Sequence, residues 1–189
     1  MIGKKNIVFG FIYLVFTAAL GPYMVQQFPE ITVMGSDKKA LMSELQLLAA
    51  NEFEDDDTLE VLPAGELAQL NSRAVLAVNK AQNARMHVDQ VKAGPHTHGN
   101  LEALLNIVVG IVLCLVVCST LWKQVVSWLF IAGTLLHSGM LYLRVFDISW
   151  ANNLLGTGLG PVFILTGLLC AGVMVLFSTM SVPSIPDQE

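Results

Sequence analysis

Four apolar stretches, residues 7–25, 101–122, 125–143 and 158–180, dictate what this chain can become. A helix that crosses a hydrocarbon core of about 30 Å needs roughly 20 such residues. Lipid offers no partner to peptide N–H and C=O groups, so an apolar segment of this length closes its own hydrogen bonds as a helix. The pattern predicts an all-α fold, a four-helix transmembrane bundle. Composition agrees, with 54% hydrophobic and 13% charged residues. Ten basic against fifteen acidic residues give a net charge of −5, and no Lys/Arg run offers a footprint for nucleic acid. Cys114, Cys118 and Cys170 all lie inside apolar runs, which excludes a secreted disulfide framework and a CxxC site.

Lys4 and Lys5 precede the first run, as in a signal peptide, but the run is long for one and Thr17-Ala18-Ala19 is a poor cleavage pattern. A retained anchor is expected. Lys4, Lys5 and Lys123 on one side and Arg144 on the other favour a cytoplasmic N-terminus, as in a bacterial inner-membrane protein. The chain then divides into a first span at 1–27, an extracytoplasmic insertion at 28–99, a three-helix membrane region at 100–180 and a disordered tail at 181–189. Within the insertion, residues 37–48 and 66–91 carry helical apolar spacing and predict two surface helices. Between them Glu52, Glu54, Asp55, Asp56, Asp57 and Glu60 read as a solvated linker, because they lack the spacing of a calcium loop. Gly94-Pro95 breaks the chain before the second span.

Ionisable groups inside membrane helices are costly, so each is a candidate for function. The second span opens with His96, Thr97 and His98 and continues with Glu102 and Asn106; the third carries His137, Tyr142 and Arg144. His98, Glu102 and Asn106 recur every four residues and so share a helix face. Counted at 1.5 Å per residue from opposite ends of antiparallel spans, Asn106 and His137 fall at similar depth, with His137 about 10 Å below His98. The small-residue series Gly110, Cys114, Cys118 reads as helix packing, and Gly156, Gly158, Gly160 and Pro161 predict a widened mouth at the fourth span.

Histidine at the top of an apolar span suits haem iron. A zinc site built from His87, His96, His98 and Glu102 is the rival metal reading, and interfacial capping by His96 and His98 the structural one. For His137 a hydrogen bond between helices competes with a haem or substrate contact. Asn106 joins helices or donates to a substrate oxygen. Tyr142 anchors at the interface, and Arg144 meets headgroups or a haem propionate.

The stretch MHVDQVKAGPHTHGNLEALLNIVVG, followed one span later by GMLYL, resembles the styrene oxide isomerases, small four-helix membrane enzymes that bind haem b and assemble as trimers. The resemblance covers roughly residues 86–180. It implies haem b ligated by His98, or alternatively His96, with Asn106 and Tyr142 addressing the substrate and a trimer as the assembly. It further implies Lewis-acid isomerisation of an apolar epoxide, drawn from the bilayer, to a carbonyl compound. Asn106 stands further from the histidine than the family pattern has it, and the segment 28–87 has no counterpart there. A non-catalytic haem or metal subunit for electron transfer or sensing, and a structural subunit of a membrane complex, are the other classes. The depth of His137 argues against its sharing one iron with His98.

Overall fold

The computed structural model describes residues 2–54 and 60–181. It is all-α apart from one two-residue ribbon: α1 (Ile2–Ala18), α2 (Leu20–Ala50), α3 (Ala64–Val91), α4 (Thr97–Leu115), β1 (Val116–Val117), α5 (Thr120–Thr134), α6 (Met140–Val145), α7 (Trp150–Gly156), α8 (Leu159–Phe177) and β2 (Thr179–Met180). Four helical stretches, Ile2–Ala50, Ala64–Leu115, Thr120–Val145 and Leu159–Phe177, are long and apolar enough to cross a membrane. The chain forms two compact units, Met1–Gly21 with Val91–Glu189, and Pro22–Gln90. Asp55, Asp56, Asp57 and most of the expected tail lie outside the described residues.

In the first unit α1 packs antiparallel on α4. Gly3 lies against Gly110 and Cys114, Gly10 against Ala103 and Ile107, and Thr17 against Gly99. Buried positions Gly3, Asn6, Gly10 and Thr17 follow a three-four spacing that keeps one face of α1 on its neighbour. Small residues let the backbones approach closely enough for van der Waals contact to hold helices that lipid does not push together. The small-residue series expected at Gly110 and Cys114 is therefore one wall of this contact. A second antiparallel pair forms where Gly133 meets Gly160 and Ile164, and Gly167 meets Phe130. Phe130, Leu113, Val116 and Val126, each at most 1% exposed, form the core between the pairs.

The span boundaries differ from the sequence expectation for local reasons. The second span stops at Leu115, because Val116 and Val117 pair antiparallel with Thr179 and Met180. Ser119 then caps α5 by accepting from the Trp122 N–H, so Trp122 begins the third span instead of ending the second. Gly94, with ψ of −106°, and Pro95 kink the chain at Lys92–His96, after which α4 begins.

The expected widened mouth at the fourth span is corrected at Gly160. This glycine lies against the backbone and Cβ of His137, so it closes a helix contact instead of opening one. Gly158 serves the chain differently, capping α8 in the left-handed region at φ 68°. A Gly158→Ala variant is expected to lose about 1 kcal/mol, whereas Gly156→Ala, in a helix with open space around it, is expected to lose nothing; unfolding midpoints in detergent check both.

In the second unit α2 and α3 form an antiparallel hairpin. The Tyr23 hydroxyl meets His87 Nε2 at 2.8 Å, and Glu54 bridges Val61 near the turn. Leu70, Ala74, Ala77, Ala81 and Val88 are buried along α3 at the three-four spacing of a coiled-coil seam. Helix is thus found over both stretches expected at 37–48 and 66–91, the first extended back to Leu20 through Pro29.

Candidate metal centre

Polar side chains in the first unit gather at two levels. At the deeper level Asn6, Asn106, Ser127 and Thr134 are each fully buried. Asn6 Nδ2 donates to Asn106 Oδ1 and to the Ser127 carbonyl, both at 3.1 Å, and Ser127 Oγ donates to Asn6 Oδ1. Asn106 Nδ2 donates to the Glu102 carbonyl at 3.0 Å and to Thr134 Oγ1 at 2.9 Å. One ring of amides and hydroxyls therefore joins α1, α4 and α5, and every polar atom of Asn106 is engaged by protein. Donation to a substrate oxygen would require Asn106 to give up one of its two amide N–H bonds.

One turn nearer the start of α4 lies Glu102, 4% exposed. Its two carboxylate oxygens face the turn Leu135–Gly139 that follows α5. His137 Nδ1 donates to Oε1 at 2.5 Å, and Ser138 Oγ donates to Oε2 at 2.6 Å. Tyr13 from α1 completes the chain with its hydroxyl 2.9 Å from Ser138 Oγ. Two adjacent residues reach one carboxylate because residues Leu135–Gly139 form a π-helical turn. Such turns are frequent at functional sites, where the wider ring re-aims side chains.

His137 stands beside His98, ring centres 4.9 Å apart and planes at 64°. This overturns the depth count that set His137 about 10 Å below His98. The count took Arg144 as level with His98, whereas α4 and the α5 stretch are offset, and His137 itself occupies the level of His98. His98, Glu102 and His137 each offer a ligand atom within 4.8 Å of the others, the one such group among the described residues. His98 is exposed, His137 half-buried and Glu102 buried, so the cluster is open on one flank.

The other candidates sit elsewhere. His96 Nδ1 donates to the Thr17 carbonyl at 3.0 Å, tying the start of α4 to the end of α1. His87 is engaged by Tyr23 in the second unit. The zinc set of His87, His96, His98 and Glu102 is thus replaced by one in which His137 joins His98 and Glu102. Tyr142 tilts against Phe146 at 5.2 Å, and Arg144 is exposed on α6. Sequence reading passed over Asn6, Tyr13, Thr134 and Ser138. Of these, Ser138 carried a usable signal, as the neighbour of a histidine within an apolar span.

The donor set can be tested against two kinds of metal. Two imidazoles on one small ion, with metal–nitrogen bonds of about 2.0–2.1 Å, have ring centres about 5 Å apart; the observed 4.9 Å agrees. Two imidazoles on opposite faces of one haem have ring centres about 6 Å apart with the macrocycle between them, and rings in edge contact leave no such slot.

Searched against family models, curated proteins and solved structures, the chain gives no match in any of the three.

Proposed function

We propose that the chain is an integral membrane metal protein whose centre is built from His98, Glu102 and His137. The observation that carries this reading is the convergence of three donors within 4.8 Å around a buried carboxylate. A carboxylate 4% exposed in an apolar helix is expensive unless positive charge compensates it. A divalent ion supplies that charge. Two histidines and one carboxylate suit zinc or non-haem iron and leave coordination positions open, as catalytic sites do.

The exposed flank at His98 would admit a small apolar substrate bearing an oxygen atom. The bound ion would act as a Lewis acid on that oxygen. Epoxide-to-carbonyl isomerisation, the activity implied by the resemblance to styrene oxide isomerases, is the reaction to assay first. The resemblance also gives a second form of the centre, haem b held by His98 alone, and the exposure of His98 favours it.

The test is metal analysis of the purified protein together with its oxidised and reduced absorption spectra. One zinc or iron per chain without a Soret band is expected, and His98→Ala is expected to weaken the site about tenfold or more. A Soret band lost in His98→Ala would identify the haem form. A colourless protein with no metal after growth in ample iron, zinc and haem would overturn both.

A further inference from the structure

We infer that the hairpin of α2 and α3 docks a second copy of this chain, a conclusion independent of the metal centre. Between the two helices runs a groove of about 510 Å³. Its floor is apolar, formed by Met34, Leu41 and Ala77. One rim carries Asp37 and Glu44 from α2; the other carries Arg73 and Lys80 from α3. Within each helix the two charges stand seven residues apart and so lie on one face. All four side chains are exposed, and among the described residues no ion pair joins the two rows within the chain.

The outer wall of the groove is also unfilled. Ala40 lines it on α2, and Val33 and Leu47, seven residues to either side, are 60% and 62% exposed. On α3 the facing residue Leu76 is 59% exposed. Two helices bury one seam between them and leave a face that a further pair of helices would cover, as in a four-helix bundle.

Charge selects the occupant and its orientation. A second hairpin related by a two-fold axis parallel to the helices sets its α2 against the first copy's α3. Asp37 and Glu44 then meet Lys80 and Arg73 of the second copy, twice over. An axis perpendicular to the helices would instead set acidic row on acidic row, which costs energy. A face as long as the 28 residues of α3, about 42 Å, and about 20 Å wide offers roughly 800 Å² per partner. That matches a stable interface.

The test is the protein mass of the full chain in detergent, from light scattering with the detergent contribution subtracted. A dimer is expected. The double reversal Asp37→Lys with Glu44→Lys, and the reversal Arg73→Glu with Lys80→Glu, should each halve the mass, while all four together should restore it. Circular dichroism follows helix content. As a measurement that needs no charge change, Ala40→Cys in one tagged copy and Leu76→Cys in another should form a mixed disulfide on co-expression, at a yield severalfold above the unmodified chain. A monomeric native chain overturns the inference. So does an assembly of any size that ignores both reversals, a quadruple variant that keeps its helix content but stays monomeric, or the absence of the mixed disulfide.

Discussion

Glu102→Ala is expected to weaken metal binding by about a hundredfold or more while leaving the metal-free protein close to its native stability. Losing a group that only orients a ligand typically costs 10–100-fold, and Glu102 carries one of the three candidate ligand atoms, in an oxygen's reach of His137 Nδ1. Stability moves less because the burden of a carboxylate in an apolar helix goes with it, and half-buried His137 can turn its freed Nδ1–H towards solvent. Once the carboxylate is gone, Ser138 retains the Tyr13 hydroxyl and the Thr134 carbonyl at 3.3 Å as partners. Glu102→Gln, which keeps the shape and one acceptor, should fall between the native protein and the alanine variant. Competition titration of zinc against a chromophoric chelator measures the affinity, and thermal unfolding of metal-free protein measures the rest. Affinity within threefold of native in Glu102→Ala would remove the carboxylate from the centre.

Gly110→Ala should be among the most damaging single-methyl substitutions in the first unit, costing about 1–3 kcal/mol or more. A Cβ at this position meets the Gly3 carbonyl oxygen and the Ile7 backbone N, neither of which is the free end of a flexible side chain. The helices would have to separate, and α1 carries Asn6 and Tyr13 into the two polar levels. The metal centre should therefore loosen along with the fold. Gly172→Ala, with open space around it in α8, is the control expected to change nothing. Unfolding midpoints of the two variants, compared in one detergent, decide the matter; equal midpoints would mean that the α1–α4 contact tolerates separation.

The membrane helices were legible because bilayer thickness leaves few alternatives to an apolar run of this length, and His98 and Glu102 because charge and imidazole stand out within it. Asn6 was not legible. It follows two lysines, just ahead of the apolar run, and reads as part of a polar flank until α1 is seen to begin at Ile2. The pairing of His137 with His98 was missed because depth along a span can be counted only from its ends, and ends set by charge give the offset between neighbouring helices poorly. Ser119 as a cap was hidden by the short gap between apolar runs that end at Cys118 and resume at Leu121. Heptad spacing along α3 was readable as helix, but which helix it faced was a matter of tertiary structure.

The π-helical turn at Leu135–Gly139 makes the centre a matter of phase. A chain one residue shorter there could wind as unbroken α-helix, keep its hydrophobicity and still cross a membrane. The wide turn takes up one extra residue, so the helix beyond the deletion would keep its place while the side chains within the turn would be re-aimed. Ser138 and His137 would then no longer address the same carboxylate. The meeting of these donors can thus turn on the gain or loss of a single codon, and two chains of this architecture could share their helices and packing yet differ in whether the three side chains come together at all.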